Sequence, residues 1–162
     1  MRFGQIDSGI AKCERHLDAV KARGTEIEYY LTQYLLIRIY AEFQTRLTAL
    51  FDRRCLSSDL HLMKFARQSA SESTKYFLIG ELKGVLGRFG DDYKSDFHNR
   101  VMNTLAHTCW DNIYSNRIAV AHKAGCVMSL SDLKKNYKNS LAIFDALVKT
   151  LGLKAKDIKD LK

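Results

Sequence analysis

The 162-residue chain contains no proline, and this absence constrains its fold more than any other feature of the sequence. Proline is the strongest breaker of helices, so a chain without it is free to form long ones. Apolar residues recur at steps of three and four along most segments, and no segment shows the strict alternation typical of a strand. The sequence therefore predicts an all-α protein that folds as a single helical bundle of five or six helices.

Capping residues and apolar periods place the helices of the first half. Helices are expected between Asp7 and Gly24, over about 25–53, over 59–67 and over 72–89, with a loop at 68–73. Three glycines, Gly80, Gly84 and Gly87, lie on one stripe of the fourth of these helices. Because glycine weakens a helix interior, this stripe indicates either the close approach of another backbone or breaks in the helix.

The second half begins at Gly90, which is followed by an acidic cap. Segment 92–123 is predicted as helical, either as one helix or as two with a bend near Thr108, and Gly125 provides a C-cap. Ser129 and Asp132 form a capping pair at the start of a last helix that ends at Gly152. The predicted domain spans 1–152, and a Lys-rich tail follows at 153–162. The apolar stripes of these helices include Val20, Ile27, Tyr34, Met102 and Leu105.

The charge of the chain favours an anionic partner. Lysine and arginine outnumber aspartate and glutamate by 26 to 18, a formal net charge of +8 that attracts polyanions such as RNA. Charged residues interrupt every apolar stretch well before the about 20 residues of a membrane-spanning helix. The amino terminus has no signal-peptide pattern. We therefore expect a cytoplasmic protein with no membrane partner and with four reduced cysteines.

One segment carries residues that point to a function. Residues 111–125 read DNIYSNRIAVAHKAG and place Arg117 five positions before His122, ahead of a glycine turn and another amphipathic helix. This segment resembles the Arg-x(4–6)-His motif of the HEPN superfamily of ribonucleases, and the order of the surrounding helices is most similar to the RiboL-PSP type. The resemblance covers roughly the whole chain as architecture and about fifteen residues as motif.

The spacing of the motif alone is a weak signal. It occurs three times in the chain, in the pairs Arg54–His61, Arg100–His107 and Arg117–His122. Only the last pair stands late in the bundle, where the family keeps its motif, and it is flanked by small residues: Ala119, Ala121 and Ala124.

The resemblance implies a metal-independent endoribonuclease in which His122 is the acid–base and Arg117 binds the scissile phosphate. Histidine suits proton transfer because its ordinary pKa of about 6.5 keeps both forms available near neutral pH. Arginine suits the phosphate because its planar fork binds two oxygens and stays charged. Four further residues are candidates for RNA contacts: Asn112, Tyr114, Asn116 and Lys123. Neither a metal nor another cofactor is expected.

The resemblance also implies a homodimer. Five residues along a helix turn through about 500°, so the side chains of Arg117 and His122 point about 140° apart, and two copies facing each other would surround one cleft. The expected role is that of a toxin or phage-defence effector, with an antitoxin or defence-system protein as partner. Ala124 stands where relatives paired with nucleotidyltransferase antitoxins carry tyrosine, so that kind of antitoxin finds no support. The polar residue that often follows the arginine is replaced by Ile118, and Asn116 precedes it instead.

Alternative interpretations remain for the same residues. Arg117 is also compatible with a surface ion pair, and His122 with a helix cap. A zinc site formed by His107, Cys109, His122 and Cys126 is disfavoured, because His-x-Cys is a poor chelating pair and the segment is helical. A catalytically inactive HEPN module that binds RNA or a partner protein, or a plain helical adaptor, would also fit the sequence.

Overall fold

The computed structural model of the chain describes residues 3–56, 59–73, 78–102, 104–122 and 125–154. Across these ranges the chain forms helices and no strand, which confirms the all-α prediction. The described helices number seven rather than five or six: α1 (Gly4–Ala19), α2 (Glu26–Arg54), α3 (Leu60–Ser73), α4 (Ile79–Gly87), α5 (Asp91–Val101), α6 (Leu105–Ala121) and α7 (Leu130–Thr150). None of them is long and apolar enough to cross a membrane. Most of the Lys-rich tail, from 155 onward, lies outside the described residues.

Helix α2 is the element around which the others pack. Its start is fixed by Thr25, whose hydroxyl oxygen accepts a hydrogen bond from the backbone N–H of Ile27 (3.3 Å). One side of α2 is fully buried, at residues such as Leu36 and Leu47, and the helix contacts α1, α3, α6 and α7. The long periodic segment predicted at 25–53 is therefore confirmed as a single helix.

Aromatic rings join the helices at the centre of the core. The ring of Phe43 on α2 lies 4.8 Å from Trp110 of α6, 4.7 Å from Phe144 of α7 and 5.0 Å from Phe3, which precedes α1. All four residues are fully buried. Such pairs add attraction beyond the burial of their apolar surface, so this cluster fixes α2, α6 and α7 relative to one another.

Polar contacts attach α1 to α7. The hydroxyl of Tyr137 donates to the carboxylate of Asp7 (3.1 Å), and Lys134 forms an ion pair with Glu14 (2.6 Å). Burial, reinforced by the negative charge of Asp7, raises the pKa of Tyr137 well above its ordinary value. The phenol is therefore protonated at physiological pH and keeps donating this hydrogen bond.

Two predictions for the α3–α4 region are wrong. The sequence predicts a loop at 68–73, but this segment is the last part of α3. Of the helix predicted over 72–89, residues 74–77 lie outside the described ranges, and the rest is divided between the end of α3 and α4, which ends at Gly87. Among the described residues, no atom of another segment lies within 4 Å of a side chain placed at Gly80 or Gly84, and at Gly87 the nearest is a carbon of Lys94 (3.5 Å). These glycines therefore do not mark a close backbone approach.

The boundaries in the second half follow their capping residues. The described part of segment 92–123 forms two helices, α5 ending at Val101 and α6 beginning at Leu105, and α6 runs unbroken past Thr108. The hydroxyl of Thr104 donates to the carbonyl of Val101 (2.8 Å) at that break. The Ser129 cap is confirmed, because its hydroxyl oxygen accepts from the backbone N–H of Asp132 (3.0 Å).

Some apolar residues expected on core faces are exposed instead. Val20, Met102 and Leu105 lie at or near helix ends, where the turn of the chain carries them away from the core. Ile27 and Tyr34 lie within α2 and face away from its packed side. All four cysteines are free thiols; Cys13 is half-buried, and Cys55, Cys109 and Cys126 are buried.

Candidate functional site

Helix α6 positions Arg117 against α2. Trp110 and Ile113 of α6 are buried, and Arg117 continues the same helical stripe one turn further on, where it is half-buried. Its guanidinium carbon lies 4.8 Å from the centre of the Tyr40 ring, and this ring in turn stacks on Trp110 at 5.9 Å. A cation held over an aromatic face is attracted by the ring, so α2 and α6 together fix the position of the guanidinium.

Several other arginines of the described ranges form ion pairs with carboxylates, and Arg117 does not. Two examples of such pairs are Arg46 with Glu42 (2.7 Å) and Arg100 with Asp96 (2.7 Å). Within the described ranges, Arg117 takes part in no such pair. The five N–H donors of its guanidinium are thus not committed to a described carboxylate and can bind an external anion.

His122 lies at the carboxyl end of α6. It is the residue immediately after the helix, its backbone N–H donates to the carbonyl of Ile118 (3.0 Å), and its side chain is exposed. Arg117 faces the ring of Tyr40, whereas the imidazole of His122 faces solvent. The two predicted catalytic side chains therefore have different surroundings, one half-buried over an aromatic ring and the other exposed.

The predicted RNA-contacting residues are divided between two surfaces. Asn112 and Asn116 line a groove of about 400 Å³ between α6 and α7, together with Lys135. Tyr114 lies on the α2 side, with its ring 6.0 Å from Tyr40. The structure thus places Tyr114 near Arg117 and the two asparagines on another side of the helix. Lys123 lies outside the described residues, as does Ala124.

Asn116 fastens the loop between α6 and α7. Its side-chain oxygen accepts from the backbone N–H of Val127 (3.1 Å) and from the thiol of Cys126 (3.5 Å), and its amide nitrogen donates to the carbonyl of Asn112 (2.9 Å). Both ends of this amide are therefore used within the loop and α6. The asparagine that precedes Arg117 therefore holds the segment at Cys126 and Val127 against α6.

We expect Asn116→Ala to lower the free energy of unfolding by about 1 kcal/mol, because it removes the hydrogen bonds that close this loop. The matched control is Asn112→Ala, at an exposed asparagine of the same groove and helix. Asn116 contacts only the backbone carbonyl of Asn112, and the variant keeps that carbonyl. Urea unfolding followed by circular dichroism measures both. Equal destabilisation by the two substitutions would contradict the role assigned to Asn116.

The loop also packs on the beginning of α2. Gly125 has a φ of +81°, a conformation that favours glycine, and a side chain at this position would collide with the hydroxyl of Tyr29. Tyr29 precedes Tyr40 on α2, whereas Gly125 follows Arg117, so α6 and the loop after it run antiparallel to α2. Sequence reasoning missed Tyr40 and Tyr29, because both contacts depend on how distant helices pack.

The remaining metal and histidine candidates are separated. His107 pairs with Asp111 on its own helix (3.2 Å), and Cys109 and Cys126 are buried. Among the described residues, no three histidine, cysteine or acidic side chains are grouped closely enough to hold a metal ion. The chain matches no protein-family model, no curated protein and no solved structure.

Proposed function

We propose that this protein is a metal-independent endoribonuclease of the HEPN type, whose active site combines Arg117 and His122 from two copies of the chain. The position of Arg117 carries this proposal. Its guanidinium is held over Tyr40 and pairs with no described carboxylate, and an exposed imidazole follows five residues later, just after the end of the helix. A surface ion pair, the ordinary role for such an arginine, is not what its described surroundings provide.

The chemistry requires three tasks. The 2′-hydroxyl of the RNA must lose its proton and attack the adjacent phosphorus, the bond from phosphorus to the 5′-oxygen must break, and that oxygen must receive a proton. His122 performs the proton transfers, since imidazole can both accept and donate near neutral pH. Arg117 binds the phosphate oxygens on which negative charge increases. The products are a 2′,3′-cyclic phosphate and a 5′-hydroxyl end.

The proposed active site needs two copies of the chain. Because five residues of helix turn the side chains of Arg117 and His122 about 140° apart, a second copy would supply the further arginine and histidine around one phosphodiester. The proposed role is that of a toxin or phage-defence effector acting on RNA in the cytoplasm. An antitoxin or another defence protein would control such an activity. The net charge of +8 supports an anionic substrate, since it attracts RNA over long distances.

Incubation of the purified protein with end-labelled RNA in the presence of EDTA tests the proposal. We expect cleavage under these conditions, with 3′ fragments that begin with a 5′-hydroxyl and 5′ fragments that end in a 2′,3′-cyclic phosphate. Cleavage that needs an added divalent metal would contradict the mechanism. Salt-dependent RNA binding without cleavage would instead identify a catalytically inactive module, and the absence of both would favour a helical adaptor.

A further inference from the structure

Helix α2 carries an apolar stripe that faces away from the protein. Ile27, Tyr30, Tyr34 and Ile37 are 47%, 61%, 52% and 50% exposed, although the opposite side of the same helix is fully buried. They follow one another at steps of three, four and three residues, so they lie on one face over three turns. We call these four residues the α2 stripe.

The size and spacing of the α2 stripe fit a contact with another helix. Steps of three and four are those of the apolar positions that meet in paired helices. If a tyrosine side chain has about 200 Å² of surface, Tyr30 and Tyr34 together leave roughly 230 Å² in solvent. That is over a quarter of the roughly 800 Å² that each partner buries in an interface of standard size, before the two isoleucines and their neighbours are included.

The order of residues in the α2 stripe is symmetric. Ile27 and Ile37 lie five positions on either side of Thr32, and Tyr30 and Tyr34 lie two positions on either side of it. In a two-fold symmetric contact, if residue i meets residue j, then j also meets i. Two antiparallel α2 helices crossing at the level of Thr32 would therefore pair isoleucine with isoleucine and tyrosine with tyrosine. A surface for an unrelated partner has no reason to show this symmetry.

We infer that the α2 stripe is the surface through which two copies of this chain form a dimer. The four side chains carry no formal charge, so the antiparallel contact brings no like charges together at its centre. Arg38 donates a hydrogen bond to the hydroxyl of Tyr34 (3.2 Å) at the edge of the stripe, and its guanidinium lies over one face of that ring, 5.8 Å from the centre. The side chain of Tyr34 nevertheless remains 52% exposed and available to the partner.

This dimer brings the two candidate sites to the same side. Tyr40, which lies beneath the Arg117 guanidinium, is one turn beyond Ile37, so Arg117 borders the α2 stripe. Arg117 lies beside Tyr40 and Gly125 beside Tyr29, so His122 lies at a height along α2 between these two tyrosines. Thr32, where the two α2 helices would cross, falls within the same interval. A two-fold axis perpendicular to two antiparallel helices keeps both α6 helices on one side. We further infer that both His122 residues approach the two-fold axis over a shared cleft; this step rests on the proposed function.

Sedimentation equilibrium without RNA tests the surface. We expect the wild-type protein to have twice the 18.6 kDa mass of one chain. Tyr34→Glu, which places a carboxylate in the contact of each copy, should raise the dimer dissociation constant at least about 100-fold. Phe65→Glu on α3 is the matched control, because it makes a similar change at a ring that is 71% exposed outside the stripe, and it should remain a dimer. A wild-type monomer at every concentration, or a Tyr34→Glu variant that still dimerises, would overturn the inference.

Disulfide trapping tests the antiparallel order. In a Cys13→Ser background, which removes the most exposed native thiol, chains carrying Ile27→Cys should form disulfides with chains carrying Ile37→Cys in a mixture. Either variant alone should not cross-link, because two copies of the same position lie about 15 Å apart along the helix. Cross-linking of Ile27→Cys with itself would overturn the antiparallel order.

These measurements are independent of catalysis. A dimer with the predicted cross-link but without RNA cleavage would contradict the proposed function and leave the interface intact. RNA cleavage by a monomeric Tyr34→Glu variant would overturn the inferred link between interface and site, but not the nuclease activity.

Discussion

Replacing His122 with alanine should reduce the rate of RNA cleavage by at least about 100-fold while the fold is retained. General acid–base catalysis by a positioned side chain contributes about 10² to 10⁴ in rate, and His122 performs both proton transfers in the proposed mechanism. Its side chain is exposed at the end of α6, so the substitution removes no core contact. Initial rates of cleavage in EDTA measure the effect, and circular dichroism verifies folding.

The chain offers a matched control for this variant. His61 is also exposed and stands seven residues after Arg54, within the same motif spacing, but on α3. His61→Ala should cleave RNA at the wild-type rate. Equal losses in the two variants, or full activity of His122→Ala, would contradict the assignment of His122. If the site is shared between copies, a mixture of inactive His122→Ala and Arg117→Ala chains should recover part of the activity, because mixed dimers retain one arginine and one histidine.

We expect Trp110→Ala to lower the free energy of unfolding by about 3–5 kcal/mol. Trp110 is fully buried, and its replacement would leave a cavity beside Phe43 and Tyr40. A loss of this size is a large part of the total stability of an ordinary domain. Urea unfolding by circular dichroism measures it, since the chain has no other tryptophan for fluorescence.

Two further variants show whether the loss arises from the cavity. Phe65→Ala, at an exposed ring on α3, should change stability by less than about 0.5 kcal/mol. Trp110→Phe keeps an aromatic ring in the stack and should cost less than Trp110→Ala. All variants must be compared at one protein concentration, because dimerisation adds to apparent stability. A Trp110→Ala protein as stable as the wild type would contradict the packing described for α2 and α6.

Local signals predicted the helices whose ends have strong capping residues. Thr25 and Ser129 determine the starts of α2 and α7, and both lie where the sequence indicated. At 68–73 the polarity of the residues predicts a loop, and this prediction is wrong. Contacts distant in sequence hold α3 there: Arg67 lies 3.6 Å from Asp52 of α2, and Arg88 donates to the carbonyl of Ser69 (3.4 Å). Packing between helices determines whether such a polar segment is helical. A short stretch of sequence carries no information about that packing.

At the candidate site, too, local spacing could be predicted from the sequence, whereas contacts between distant helices could not. The helical spacing from Trp110 to Arg117 contains the information that both lie on one stripe, so contact with a neighbouring helix could have been predicted. The identity of that contact, Tyr40, could not, because it depends on the register of α2 against α6. The exposure of Ile27 and Tyr34 was missed for a similar reason: apolar periodicity identifies a face of a helix but not what covers it.

The free thiols of this bundle have a consequence for oxidative chemistry. Burial raises the pKa of Cys13, Cys55 and Cys126 above the ordinary range of a thiol. The thiolate is the form that peroxides and alkylating reagents attack, so at neutral pH these three sulfur atoms react slowly. Redox signals therefore have little access to the protein through these three residues.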